Sequence, residues 1–397
     1  MTGTRRTAAA AALLLALPLP LAAAVPALAA PASGTVATAP AALPAGDHTE
    51  LPRPTGPYAV GREILHLVDQ DRTDPWVPSA GPRRLMVSMY YPAKRGTGGP
   101  APYMTPEAAR LMLDGKVPGN TIPTEALTAT RTWAESDARP APGRFPLVLL
   151  SPGFTMPRTE LTSLAEDLAS RGYVIALIDH TYENTGTTFP DGTTLPCVIC
   201  DRFPEGGPEA VSASRAKDMS FVIDRLTAHP HPAWRYARMI DSNRIGTAGH
   251  SLGGAAAVPA LLTDDRILAG VNLDGTMDFE VPATGLDGKP FMMLGHPLDD
   301  GGEDSTWTRS WANLDGWKRW LTVAGSNHGT FTDVPLLAEK FGIPSPPGTT
   351  ISAQRSVELT RSFVAAFFDL HLKGVEQPIL DGPTPGNPEI GFHSQAL

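Results

Sequence analysis

From residue 145 onward the chain alternates short apolar runs with amphipathic stretches. FPLVLLSPG (145–153) and YVIALIDH (173–180) are continuous apolar runs of strand length, the pattern of strands covered on both faces in a parallel sheet. Between them, ELTSLAEDLASRG (160–172) sets Leu161, Leu164, Ala165 and Leu168 at helical spacing and closes on Gly172. SASRAKDMSFVIDRLTAH (212–229) predicts a second helix, with Met219, Val222, Ile223 and Leu226 as its apolar stripe. NRIGTAGHS (243–251), LAGVNLDG (268–275), PFMMLGHP (290–297) and KRWLTVAGSNHG (318–329) predict four further strands, and AQRSVELTRSFVAAFFDLHLKG (353–374) a final helix. Strands that alternate with helices predict βαβ units and a mostly parallel central sheet flanked by helices. Upstream, strand-like runs in 57–70 and 84–92 add an antiparallel N-terminal edge. Excursions at about 100–140, partly helical around TPEAARLML, and 181–210 are expected to cross the top of the sheet.

The first 55 residues follow another pattern. Arg5 and Arg6 precede an Ala/Leu-rich run from Ala8 to Val25, and Ala27-Leu28-Ala29 has the small-x-small form of a cleavage site. Residues 1–29 therefore read as a signal peptide and the protein as secreted, by a general or a twin-arginine route. An uncut membrane anchor is the alternative, but Pro18, Pro20 and Pro26 interrupt the run. Residues 30–55, rich in Ala, Pro, Gly and Thr, read as a flexible leader, which leaves 56–397 as one catalytic domain. With 42% hydrophobic and 18% charged residues the chain fits a globular protein with a sizeable core. A net charge of −9 argues against nucleic acid as a partner. Cys197 and Cys200 are the only two cysteines. In an exported protein they predict a local disulfide clip, because a zinc site would need more ligands nearby.

One stretch carries chemistry. Gly249-His250-Ser251-Leu252-Gly253 fits G-x-S-x-G, directly after an apolar strand and before a small-residue helix. That context makes it a nucleophile elbow, a turn tight enough to hold the serine in a strained, exposed position. Pro259 should shorten or kink the helix that follows. A serine hydroxyl needs a base. His250 belongs to the turn and faces the wrong way, and His371 and His393 are expected at the surface. His328 sits just past a strand end, where parallel sheets deliver functional groups. His296 is the alternative. For the acid, Asp274 ends the strand LAGVNLDG, while Asp299 and Asp300 follow the next strand in the solvated run DDGGED. Asp274 is the better held. An oxyanion hole needs two backbone N–H donors. Leu252, after the nucleophile, supplies one, and the Gly153-Phe154 loop supplies the other from Phe154.

Taken together, LLSPGF, DLASRGYVIALIDH, IDSNRIGTAGHSLGGAA, LAGVNLDGTM and VAGSNHGTFTD resemble the platelet-activating-factor acetylhydrolase family of α/β-hydrolases, the secreted lipoprotein-associated type and its bacterial relatives. The resemblance runs from about 145 to 335, and more weakly over RRLMVSMYYPA and the last helix. It implies an α/β-hydrolase fold, a triad of Ser251, Asp274 and His328, and oxyanion donors at Phe154 and Leu252. Family members place the acid after the strand that ends here at Asp274. Pro152 stands where the animal enzymes carry a histidine, and no amphipathic docking helix stands out in 100–140. The expected activity is that of a serine ester hydrolase acting on short or oxidised acyl esters, including sn-2 acetyl groups of platelet-activating-factor-like phospholipids. No metal or cofactor is expected. The partner is a small-molecule or lipid ester, with transient contact at a lipid interface, and the protein a monomer. A lipase or polyester hydrolase, a peptidase of the same fold, and a non-catalytic binding protein are the other readings.

Overall fold

Strand β1 (Ala59–Thr73) pairs antiparallel with β2 (Pro82–Ala93), from Ala59 opposite Ala93 to Asp69 opposite Arg83. A computed structural model describes residues 49–298 and 304–393 of the chain, in a unit that runs from His48 to Leu397. The expected signal peptide, residues 30–48 of the expected leader, Asp299 and Asp300 lie outside the described residues. Residues 49–55, expected in that leader, are instead pinned to the domain. Leu51 is buried, and its N–H bonds the carbonyl of Arg131. Thr55 donates to the Asp167 carboxylate, and Arg361 holds the carbonyls of Pro52 and Arg53.

The 100–140 segment departs from its expected role as an excursion, because it adds strands to the sheet. β3 (Gly99–Pro102) leads to helix α1 (Pro106–Lys116), which is capped by Thr105 and begins on Pro106, a residue suited to a helix's first turn. A short α2 (Thr124–Thr128) follows, then β4 (Arg131–Ser136), which lies parallel to β1 and antiparallel to β3. Glu166, from beneath the sheet, accepts hydrogen bonds from the N–H groups of Trp133 and Ala134.

The parallel block begins at β5 (Phe145–Ser151), followed by α3 (Thr162–Ser170) and β6 (Val174–His180). The 181–210 segment forms the hairpin of β7 (Gly186–Thr188) and β8 (Thr194–Pro196), then a Cys197–Cys200 disulfide. α4 (Gly207–Thr227) leads to β9 (Ile240–His250). The next helix is split into α5 (Leu252–Ala255) and α6 (Ala257–Thr263). The break follows from Pro259, which has no N–H to offer the carbonyl of Ala255. β10 (Ile267–Leu273), β11 (Phe291–Gly295), α7 (Ser305–Asn313), β12 (Lys318–Val323), α8 (Val334–Lys340), α9 (Ala353–Lys373) and β13 (Ile390–Phe392) complete the order. α9 stops at Gly374, whose φ of +68° suits glycine.

The strands form one sheet in the order β13-β12-β11-β10-β9-β5-β6-β2-β1-β4-β3. From β12 to β6 every neighbouring pair is parallel, while β2 runs antiparallel to β6. This is an α/β-hydrolase fold with an antiparallel N-terminal edge. Alternation along β5 divides the core. Leu147 and Leu149 pack with Met219, Val222 and Ile223 of α4. Val148 and Leu150 pack with Leu164 and Leu168 of α3 and Phe363 and Phe367 of α9. Each such fully buried side chain contributes about 1.5–3 kcal/mol. The chain moves outward from β5 to β6, then returns to β9 on the other side of β5 and continues to β12. The ends of β5 and β9 therefore flank the point where the winding reverses, the usual place for a ligand in an open α/β sheet. Among the described residues, no helix is long and apolar enough to cross a membrane.

Candidate active site

Ser251 follows the last residue of β9 with φ +53° and ψ −127°, outside the regions a non-glycine residue normally occupies. The turn closes because the residues two positions to either side of Ser251 have no side chains. A Cβ on Gly253 would stand 2.1 Å from the Ser151 carbonyl oxygen, and one on Gly249 would stand 2.3 Å from the Gly253 backbone. Gly275 is as constrained, with a Cβ position 2.1 Å from the Ser251 oxygen. Gly253→Ala is therefore expected to push the end of β5 off the elbow. The expected cost is roughly 1–3 kcal/mol of stability, as for other overpacked sites, with a loss of activity larger than the fall in melting temperature explains. Thermal unfolding and activity of the purified variant check both.

Asp274 follows β10 with φ +60°. Buried Asn272 holds this turn, accepting from the Gly275 N–H at 2.8 Å and donating to the Gly275 carbonyl at 2.7 Å. His328 opens a single 3-10 turn, His328–Phe331, after β12. Asn327 caps that turn by accepting from the Gly329 N–H, and its own N–H bonds Thr330 Oγ1.

The three side chains meet. His328 Nε2 lies 3.0 Å from Ser251 Oγ, and its Nδ1 lies 2.5 Å from Asp274 Oδ2. A carboxylate can only accept, so Nδ1 bears the proton and Nε2 faces the hydroxyl as an acceptor. The Asp274 side chain is 6% exposed and that of His328 is 54% exposed, so the acid is sheltered and the imidazole reachable. Burial pushes the Asp274 carboxyl up, but hydrogen bonds from His296 and His328 outweigh it and hold the group below the usual carboxylate range.

His296 also joins this site, on the far side of the carboxylate. Its Nδ1 lies 2.7 Å from Asp274 Oδ2, and its N–H donates to Oδ1 at 2.8 Å. It faces the acid and not Ser251, which separates it from His328. His250 is buried behind the elbow. Its Nε2–H donates to the His328 carbonyl at 2.8 Å, and its Nδ1 faces Glu160 at 3.3 Å. Burial disfavours the charged imidazole, yet the Glu160 carboxylate and its hydrogen bond leave the His250 value raised. His250 thus tethers the backbone that presents His328. A Cβ on Gly153 would stand 2.9 Å from His250 Nδ1, so the imidazole also explains that glycine. His371, expected at the surface, packs against Trp317 and Phe367, and burial pushes it down to about 4. His393, also expected at the surface, stacks on Trp320.

Leu252 follows Ser251 as the first residue of α5, and Phe154, in the loop after β5, packs against the cluster that holds Leu252; no acceptor for either N–H is found among the described residues. One surface lies beside His328 and another beside Leu252. On the His328 side, a cavity of about 270 Å³ is lined by His296, Leu298, Asp304, Trp307, Trp320 and His393, among others. On the Leu252 side, an apolar cluster of Ile199, Val211, Leu252 and Ala255 packs with Trp76 and Phe154. Phe203 stacks on Phe154 with ring centres 4.7 Å apart. The disulfide-clipped loop supplies Ile199 to this wall. Asp274, His296 and His328 offer ligand atoms within 4.8 Å of one another, as do buried His180, Glu183 and Asp218. In both groups hydrogen bonds occupy the facing atoms.

Comparison with known proteins agrees with this architecture. The family model described as platelet-activating factor acetylhydrolase, isoform II, matches residues 44–191 and 234–364. A probable 1-alkyl-2-acetylglycerophosphocholine esterase of Arthroderma benhamiae is 28% identical over 384 residues, covering 86% of this chain and 93% of that protein. A bis(hydroxyethyl) terephthalate hydrolase of Streptomyces coelicolor is 29% identical over 131 residues, covering 33% of each chain. A solved ferulic acid esterase from Streptomyces cinnamoneus superposes with a TM-score of 0.78 and 45% identity, over 87% of this chain and 99% of that one. The chain is a carboxylic ester hydrolase and belongs to the platelet-activating factor acetylhydrolase, isoform II, family.

Proposed function

We propose that the protein cleaves esters through an acyl-enzyme formed on Ser251, with His328 as base and Asp274 as its orienting acid. The observation that supports this most directly is His328 spanning Ser251 Oγ at 3.0 Å and Asp274 Oδ2 at 2.5 Å. Ser251 Oγ attacks the ester carbon as its proton passes to His328 Nε2. The carbonyl oxygen gains negative charge and takes hydrogen bonds from the N–H groups of Phe154 and Leu252. One such donor is worth about 3 kcal/mol in the transition state. The bond to the alcohol oxygen then breaks, and that oxygen receives the proton from Nε2. Water, deprotonated by His328, attacks the acyl group and frees the acid, returning the proton to Ser251.

The leaving oxygen must approach Nε2, so the alcohol half lies on the His328 side of Ser251. The acyl half lies toward Leu252, Phe154 and Phe203. The export pattern at residues 1–29 and the family support a secreted esterase acting on short or oxidised acyl groups, including sn-2 acetyl esters of platelet-activating-factor-like phospholipids. The Phe154–Phe203 stack, with the 45% identity to a ferulic acid esterase, favours a second reading, esters of planar aromatic acids. p-Nitrophenyl acetate, butyrate and palmitate, assayed with and without a serine-directed organophosphonate, test the chemistry. Turnover of acetate and butyrate with label on Ser251 is expected, and absence of both defeats the proposal. Platelet-activating factor against methyl ferulate, compared by kcat/KM, decides between the readings.

A further inference from the structure

A buried charge cluster lies behind the loop that ends β5. Arg83, Arg215, Glu183 and Asp218 are each at most 1% exposed. Arg83 pairs with Asp74, Glu183 and Asp218, and Arg215 Nε donates to Glu183 Oε2 at 2.7 Å. Arg72 reaches Asp218 from the surface. Each buried charge of the cluster thus has an opposite partner, as buried charge requires, and Arg72 also pairs with Asp69 at its edge. Within the cluster, Ser151 Oγ lies 2.9 Å from His180 Nε2, and His180 Nδ1 lies 2.8 Å from Asp218 Oδ2. That chain has the connectivity of a catalytic triad, but all three residues are at most 1% exposed, so no substrate reaches it.

The cluster meets the loop at one peptide. Arg215 Nη1 donates to the Pro152 carbonyl at 2.5 Å, and on the opposite edge of the same peptide the Gly153 N–H donates to Glu160 Oε1. Two residues on, the Thr155 N–H bonds the Glu183 carbonyl at 2.9 Å. The Phe154 N–H lies between these anchors. Gly153 precedes it, and glycine is the residue whose free rotation would otherwise let that N–H swing. Glu183 acts twice, as backbone acceptor for Thr155 and as carboxylate partner of Arg215.

We propose that Arg215, braced by Glu183, is a positioning residue for hydrolysis: it fixes the Pro152–Gly153 peptide so that the Phe154 N–H is aimed at the developing oxyanion. The proposal rests on the Ser251 reading above. Burial would raise the Glu183 carboxyl, but Arg215 and Arg83 hold it below its ordinary value, consistent with a permanently charged brace.

The test compares Arg215→Lys and the double variant R215M/E183Q, which removes the pair together, with the parent. Active sites are titrated with an organophosphonate, and a trifluoromethyl ketone serves as oxyanion analogue. The double variant should lose about tenfold to a hundredfold in kcat per titrated site, less than or near the effect of deleting one oxyanion donor. KM should stay within about twofold while the ketone's Ki rises in parallel with the fall in kcat/KM. Arg215→Lys, which keeps a cation within reach of Pro152, should recover part of the loss. Unchanged kcat per titrated site, or a loss matched by fewer titratable sites with unchanged ketone affinity, would overturn the proposal. Ser251→Ala, measured alongside, separates the two failures. Activity retained in that variant refutes the underlying reading instead.

Discussion

Ser251→Ala is expected to lower kcat by about a millionfold, leaving only the modest acceleration that oxyanion donors and substrate binding supply without a nucleophile. KM should change little, because the hydroxyl contacts substrate mainly as it attacks. Labelling by an organophosphonate should disappear with the activity. The variant should fold at least as well as the parent. Alanine is smaller than serine, and the elbow's φ of +53° is imposed by the backbone around it. The decisive measurement is single-turnover hydrolysis of p-nitrophenyl butyrate by variant and parent of equal melting temperature. A Ser251→Ala protein with more than about a hundredth of parental activity would mean another group attacks the ester.

Asp274→Asn is the second large effect, a fall of about 10⁴ in kcat, equivalent to roughly 5 kcal/mol of transition-state stabilisation. An amide offers one accepting oxygen where the carboxylate offers two. With that oxygen in place of Oδ2 its NH₂ would face the donating His296 N–H, and flipped it would face His328 Nδ1, which disfavours the His328 tautomer with a free Nε2 acceptor. The same variant makes a pH prediction. The folded Asp274 carboxyl sits below the ordinary carboxylate value. Its ionisation therefore stabilises the fold above the unfolded value near 4, and that contribution is lost as pH falls through the folded value. The melting temperature of Asp274→Asn should accordingly fall furthest below the parent's at neutral pH and approach it in acid. Asp299→Asn, which alters a carboxylate of the DDGGED run, should leave kcat within about threefold. The reverse ranking of the two variants would move the acid to the later loop.

Local patterns were the legible part of this protein. The βαβ rhythm after residue 145, the elbow and the strand-end positions of Asp274 and His328 all depend on spacings within a dozen residues. β4 was not legible, because RTWAES is a short, half-polar edge segment whose partner, β1, lies some seventy residues earlier. α7 and α8 were missed for a related reason. Each is short, carries few buried apolar positions and is bounded by polar loops. The roles of His296 and His250 depend on contacts assembled from separate strands. His296 reads as a rival base until its Nδ1 is seen facing Asp274. Arg83, Arg215, Glu183 and Asp218 are harder still. Charged residues are expected at the surface, and only the convergence of β2, α4 and the loop after β6 shows that they neutralise one another inside. The misplacement of His371 has the same origin, since nothing in the last helix reveals that Trp317 covers its side chain.

The order in which the chain supplies its reactive groups has a bearing on its biosynthesis. Ser251 precedes His328 by 77 residues, and Asp274 precedes it by 54. A chain long enough to form the elbow still lacks β12, His328 and the helix α9 that covers one face of the sheet. On the proposed roles, the Ser251 hydroxyl is made first and has no base until the last third of the molecule arrives, so the proposed triad and the hydrophobic core are completed together.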